Sequence, residues 1–392
     1  MMTPTLIACL AALVAAQNET RTEEGDVLVD SAFPEGARFA RQAEVTKAWP
    51  NGLIPISFTP GYPEKQKASA IAGMKIWEKN TCVRFQMGDT TSKNRAEIVN
   101  GNSCQSYVGV NGGRQTVILG PGCNGISSSA HELGHCIGLQ HMQTRSDRDS
   151  YVTLQKNNIN PGTFNLNFKI EATASTMNVP YDIASIMHYQ PYDFAINKAV
   201  PSIVPKAMFS EYSKCMGNYQ PSFYDYLRVN RMYKCDQKCA NYRTSCSNNG
   251  VMDVNNCNQC LCPPGWGGAN CNTNPTGSET PTPTTNWQTY STTIGRQEDD
   301  QLAEFSFKHL VINAPSGRKV EVKIDYMWAG DSEGCKFGGI EVFEKVDTRM
   351  SPPRVCKLTD AKPVYRSESQ RMYVRLYNRF SQLTANLSYR YV

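Results

Sequence analysis

The apolar positions change period several times along the chain. Residues 6–16 form an unbroken apolar run ending in Val14-Ala15-Ala16. The run is too short for a bilayer, which takes about 20 residues, and its small-residue end predicts a signal peptide over 1–16, cleaved before Gln17. Residues 17–41 are polar and charged. Residues 49–58 read as a turn followed by a first strand. From Glu64 to Asn80 the residues Ile71, Met74, Ile76 and Trp77 fall at helical spacing. Residues 83–86 and 116–119 are short strand candidates, and 224–233 a last helix built on Leu227, Asn230 and Arg231. Beyond residue 287 the pattern alternates, at 320–324, 340–343, 373–377 and 387–391. Regularly spaced alternating strands predict a β-sandwich.

A chain of 392 residues exceeds one ordinary domain, and two or three are expected. A net charge of +5 is small for this length and argues against a nucleic-acid partner. Fifteen cysteines at regular spacings point to an oxidising compartment, and losing Cys9 with the signal leaves an even number. No other apolar stretch approaches about 18 residues, so a secreted, extracellular protein without a membrane span is expected.

The chemistry concentrates in His131-Glu132-Leu133-Gly134-His135-Cys136-Ile137-Gly138-Leu139-Gln140-His141. His131 and His135, four apart, project from one helical face and reach one metal. Glu132 stays off that metal yet reaches a water on it. Gly138 allows the left-handed backbone that ends the helix, and His141 returns as a third ligand. Three imidazoles leave a fourth position open, the catalytic rather than the structural arrangement, and one Zn2+ is expected. Zinc lowers the pKa of bound water to roughly 7, and a nearby carboxylate takes its proton. The helix should begin near Ser128 or Ser129, either of which could cap it. Three of the chain's five histidines fall at this ligand spacing, which makes an ordinary amphipathic helix a remote alternative.

The whole stretch reads H-E-x-x-H-x-x-G-x-x-H, the extended zinc-protease signature of metzincins. Arg145-Ser146-Asp147-Arg148-Asp149 and Ser185-Ile186-Met187-His188-Tyr189 follow it. Together these resemble the astacin family of zinc endopeptidases. The resemblance implies an α+β catalytic domain over 42–236, a twisted sheet with helices and the substrate cleft across the zinc. It implies that Met187 forms the Met-turn beneath the metal. Tyr189 would be an extra zinc ligand that swings away to hydrogen-bond the oxyanion. Arg145 and the run 147–149 are expected to be structural. The family usually carries Glu after the third His, where it contacts the mature N-terminus through water; this chain has Met142. Residues 17–41 resemble a propeptide in which Asp26 occupies the zinc, with Glu23 where Phe is usual, and Arg38-Phe39-Ala40-Arg41 resembles its cleavage site. Family disulfides would join Cys82–Cys235 and Cys104–Cys123. Cys136 and Cys215 remain and are expected to pair.

Six cysteines between Cys239 and Cys271, with Pro263-Pro264-Gly265-Trp266-Gly267-Gly268 before the last, resemble an EGF-like module over 237–272. So small a piece relies on disulfides. Fifteen pairings are open to the sequence, and the family's would be Cys239–Cys257, Cys246–Cys260 and Cys262–Cys271. Residues 273–286, rich in Thr, Pro, Asn and Ser, read as an extended linker. Residues 287–392 resemble a CUB domain, as in many nematode astacins, with Cys335–Cys356 as its disulfide. Cys335-Lys336-Phe337-Gly338 lacks the Cys-x-x-Asp of calcium-binding CUB domains, so no calcium is expected there. Asn386-Leu387-Ser388 and Asn18-Glu19-Thr20 are glycosylation sequons.

The reading is a secreted zinc metalloendopeptidase made as a zymogen, with Glu132 as general base and extracellular proteins, collagenous or matrix ones among them, as substrates. The rival reading is an extracellular binding protein that acts through its appended modules.

Overall fold

The computed structural model describes residues 47–123, 125–171, 175–296, 301–329, 332–358 and 363–392. The expected signal peptide, propeptide, Asp26 and Asn18 lie outside the described residues. The described chain forms two compact units, one ending at Asn241 and one running from Tyr242 to Val392.

The first unit holds a five-stranded sheet of β1 (Leu53–Phe58), β2 (Arg84–Met87), β3 (Arg95–Val99), β4 (Cys104–Ser106) and β5 (Arg114–Leu119), in the order β2-β1-β3-β5-β4. The first four in that order are parallel, and β4 closes one edge antiparallel to β5. Ile54, Ile56, Ala96, Ile98, Val117 and Leu119 alternate into the core, as the pleat requires. Helix α1 (Glu64–Asn80) buries Ala70, Gly73, Met74 and Trp77, the 3–4 spacing of one helical face. It packs on α2 (Ile126–Ile137), which carries His131 and His135. The two backbones approach closely at Gly73, where a Cβ would stand 3.0 Å from the nitrogen of Ala130. The Trp77 indole donates to the Ala130 carbonyl at 2.8 Å and fixes the crossing.

The start of α2 corrects the expectation of a serine cap. The helix begins at Ile126 with Gly125 as its N-cap and no capping side chain. The Ser129 N–H bonds the Gly125 carbonyl at 2.9 Å, so both serines already lie inside the helical ladder. The helix stops where expected. Gly138 takes φ of 128° and donates to the carbonyls of Gly134 and His135.

Past His141 the chain builds few regular elements. β6 (Val152–Leu154) pairs with β7 (Ile203–Pro205), and α3 (Pro161–Asn167) starts from Asn160, whose side chain accepts from the Gly162 N–H. α4 (Phe223–Met232) carries a full capping box, Ser222 with Asp225. Disulfides Cys82–Cys235 and Cys104–Cys123 are formed.

The expected Cys136–Cys215 disulfide is absent, and both residues are buried thiols. Cys136 lies on α2, where its carbonyl accepts from the Trp49 indole N–H at 2.7 Å, whereas the Cys215 sulfur lies against the Glu211 carbonyl of its own segment. Burial in an apolar core pushes the Cys136 thiol up to about 12, so it packs as a small apolar side chain.

In the second unit, β8 (Val251–Met252) and β9 (Cys260–Leu261) form a small hairpin beside the disulfides Cys246–Cys260 and Cys262–Cys271. Cys239, at the end of the first unit, and Cys257 are each disulfide-bonded too. The remaining strands are β10 (Gln288–Gly295), β11 (Gln301–Asn313), β12 (Val320–Trp328), β13 (Gly338–Phe343), β14 (Arg354–Val355), β15 (Val364–Arg366), β16 (Arg371–Phe380) and β17 (Gln382–Tyr391). They make two four-stranded sheets, β10-β17-β12-β15 and β11-β16-β13-β14, around Leu310, Val322, Ile340, Val374, Leu376 and Leu387. Cys335 and Cys356 are bonded. Residues between hairpin and sandwich are tacked down rather than loose. Glu279 exchanges backbone hydrogen bonds with β11, and the Thr284 carbonyl accepts from Tyr391. Asn386 is half-exposed in β17 between the buried Ala385 and Leu387, while Ser388 is buried and bonded to Asp325.

Thiol titration of residues 42–392 should find two thiols after unfolding without reductant and none reactive in the native protein. Finding none in the unfolded protein would restore the Cys136–Cys215 bridge.

Candidate metal centre and active site

α2 presents His131 and His135 from one face, and the turn at Gly138 brings His141 back to them. All three are buried, and their ligand atoms lie within 4.8 Å of one another. The Nε2 of His141 is 3.1 Å from that of His135 and 3.4 Å from that of His131. The other ring nitrogens face carbonyls: His131 Nδ1 lies 2.7 Å from the Ile186 oxygen, and His135 Nδ1 2.8 Å from the Leu139 oxygen. A carbonyl only accepts, so each Nδ1 carries the proton and each Nε2 turns a lone pair to the centre. Converging lone pairs repel unless a cation lies between them. Tetrahedral zinc with Zn–N near 2.0–2.1 Å sets its ligands about 3.3 Å apart, close to both separations from the His141 Nε2. The donor set therefore fits zinc.

The Ile186 carbonyl belongs to a tightly held turn. The Ile186 N–H and the Ser185 hydroxyl donate to the Asp225 carboxylate at 3.0 and 2.5 Å, and the Met187 N–H donates to the Ser185 hydroxyl. Met187 lies under α2. A Cβ added to Gly134 would meet its sulfur at 2.8 Å, so the glycine makes room for it. The Met187 carbonyl accepts from the Met142 N–H, joining this turn to the third ligand's segment. Met142 itself is buried, its sulfur 3.2 Å from the Arg228 Nη1. Arg145 makes a bidentate pair with Asp147 and donates to the Val179 carbonyl, and Arg148 donates to the carbonyls of Gln143 and Phe168.

Glu132 is buried beside the triad. The Tyr189 ring is fully buried 4.5 Å from that of His141, packed by Phe168 and Phe194. Its hydroxyl donates to the Asn167 carboxamide at 3.3 Å, and its N–H donates to the Gln143 side chain at 3.2 Å. Asn167 and Asp225 escape a reading of sequence alone, because only the folded chain brings α3 and α4 to the triad, and Gln143, two residues past His141, carries no motif of its own. The capping pair Ser222 and Asp225 was the one local signal available for them.

A mixed sheet backed by a helix that carries two of three converging imidazoles and a carboxylate defines a metal-dependent hydrolase of the zinc-peptidase class. Comparison with known proteins agrees. The Astacin family (Peptidase family M12A) matches residues 41–234. Zinc metalloproteinase nas-31 of Caenorhabditis elegans is 36% identical over 325 residues, 81% of this chain and 52% of that protein, so the chain spans about half its length. Zinc metalloproteinase nas-25 of the same organism is 33% identical over 376 residues, 91% of this chain and 92% of the relative. High choriolytic enzyme 1, a hatching enzyme zinc-protease from Oryzias latipes, is 32% identical and covers 48% of this chain and 95% of its own, with a TM-score of 0.44. The chain belongs to the astacin family of zinc metalloendopeptidases.

The carboxylates behind the turn at Met187 set a pH dependence. Burial, and then the charge of Asp225, hold Asp182 well above the usual carboxylate range. The folded state thus favours neutral Asp182, and the unfolded chain gives up this proton first. Stability from this group is fullest below the ordinary carboxylate pKa and falls as pH rises toward neutrality. Asp182→Asn should shrink the fall in melting temperature between pH 4 and pH 8; a difference as large as wild type's would contradict the assignment.

Proposed function

We propose that this chain is a secreted zinc endopeptidase, made as a zymogen, that cuts extended segments of extracellular proteins. The observation that carries the reading is the convergence of the His131, His135 and His141 Nε2 atoms beside Glu132. Zinc held by these three imidazoles would supply a Lewis acid to polarise a carbonyl and acidify water. Glu132 is the general base. It takes a proton from the attacking water and passes it to the leaving amine. Tyr189, against His141, donates its hydroxyl proton as a hydrogen bond to the developing oxyanion. The His131 and His135 ring protons, committed to the Ile186 and Leu139 carbonyls, keep the imidazoles from turning. The antiparallel edge strand β4 packs by α2 and offers a substrate backbone a ladder to pair with.

Secretion accords with the bonded cysteines and with an apolar N-terminal run. Latency through Asp26, cleavage near Arg41, and an order of catalytic domain, EGF-like module, linker and CUB domain at 42–236, 237–272, 273–286 and 287–392 belong to the same proposal. So do glycans at Asn386 and Asn18, and a role for the appended modules in holding matrix or collagenous substrates.

Processed wild type should cleave an unstructured peptide library, while Glu132→Ala loses at least about a thousandfold in kcat with its zinc retained. Equal cleavage by the two proteins would remove Glu132 as the base.

A further inference from the structure

Tyr189 is held at both ends by two carboxamides. Its N–H donates to the Gln143 Oε1, the Gln143 Nε2 reaches the Asn167 main-chain oxygen at 3.5 Å, and the Tyr189 hydroxyl donates to the Asn167 Oδ1. The frame is closed, and its members are buried to within about one per cent of their surface. Arg148 braces it from behind through the carbonyls of Gln143 and Phe168. One arm of the frame is unused. The Asn167 Nδ2 is buried and has no hydrogen-bond partner among the described residues. A buried amide donor left unpaired forfeits the hydrogen bonds it made with water, so a position that keeps one calls for an explanation.

We propose that Asn167 is a positioning residue for Tyr189, a two-way hydrogen-bond partner that serves both proton arrangements of the phenol. The inference rests on the role given to Tyr189 above. In the arrangement seen here the hydroxyl proton points at Asn167 Oδ1, and the oxygen's lone pairs are left for the pocket. To donate to an oxyanion, the phenol must turn that proton away from Asn167. A half-turn of the carboxamide about its last bond exchanges Oδ1 for Nδ2 and presents an N–H to the same phenol oxygen. No proton leaves either group. The phenol then donates forward to the oxyanion while it accepts from behind, and hydrogen bonds in such a chain strengthen one another. An acceptor-only residue at this place would hold the resting arrangement and fail the second. The unpaired Nδ2 is thus the donor required once the phenol has turned. Asn167 ends α3, a helix whose start is fixed by Asn160 and Pro161, so its Cα is set by local structure rather than by the triad.

The test uses Asn167→Asp, assayed at a pH where its carboxylate is ionised and accepts only, and Asn167→Leu, of similar size without a polar arm. Each is made in the wild-type and Tyr189→Phe backgrounds. With Tyr189 present, both should lower kcat about tenfold while KM stays within about twofold, the mark of an interaction made in the transition state. Binding of a phosphinic peptide, a tetrahedral analogue of the hydrated peptide bond, should weaken by a similar factor in calorimetry. In the Tyr189→Phe background neither substitution should cost more than about twofold further, since its target is gone. An undiminished tenfold loss in that background would overturn the proposal while leaving Tyr189 its role. Wild-type kcat in Tyr189→Phe alone would overturn the role of Tyr189 and this inference with it. Melting of the zinc-free proteins separates a structural effect: kcat losses that merely follow a lowered melting temperature in both variants would also overturn it.

Discussion

The site depends on where two imidazole protons go. His131 gives its Nδ1 proton to the Ile186 carbonyl and His135 gives its own to the Leu139 carbonyl. Each donation fixes a tautomer and a ring plane at once, and partners of this kind orient metal ligands throughout protein chemistry. The Leu139 carbonyl is available because Gly138 ends α2 within one turn of His135. The Ile186 carbonyl is aimed by a carboxylate from α4, Asp225, which holds the Ile186 N–H and, through the Ser185 hydroxyl, the Met187 N–H. One ligand is thus set by local sequence and the other by a residue nearly a hundred positions away. With both in place, their lone pairs meet the His141 Nε2 at a spacing that suits a small cation.

That division explains what the sequence discloses. The zinc helix, its stop at Gly138 and the third ligand are all short-range, and residues 131–141 carry them unaided. The first strand within 49–58, the strand at 116–119 and the helix at 64–80 are similarly local, each written in one period. The α2 start was misplaced because a serine cap is a residue preference, whereas Gly125 can use its backbone alone. The strand β3 and the helix α3 were missed because neither has a long periodic run. The pairing of Cys136 with Cys215 was an inference from what remained after other cysteines were assigned. The fold instead gives each thiol an apolar berth, and an even count of cysteines does not oblige all of them to bond.

The second unit shows another trade between local and distant information. Alternation identified four of its strands, β12, β13, β16 and β17, but not β10, β11, β14 or β15, nor what lies against them. The Arg371 guanidinium lies 3.9 Å over the Trp266 ring and donates to the Gly265 carbonyl. Gly265 in turn admits the Tyr373 ring so closely that a Cβ would meet it at 2.8 Å. The disulfide-rich hairpin and the sandwich are therefore packed together, and the Pro- and Thr-rich stretch between them runs along β11. Composition marks such a stretch as unable to form its own core, yet it leaves open whether a neighbour holds it.

Elemental analysis of the purified, folded chain tests the central claim most directly. One zinc per chain is expected, falling to a small fraction of that in His141→Ala. Folded protein without stoichiometric zinc, or with zinc that survives loss of His141, would contradict a centre built from these three imidazoles.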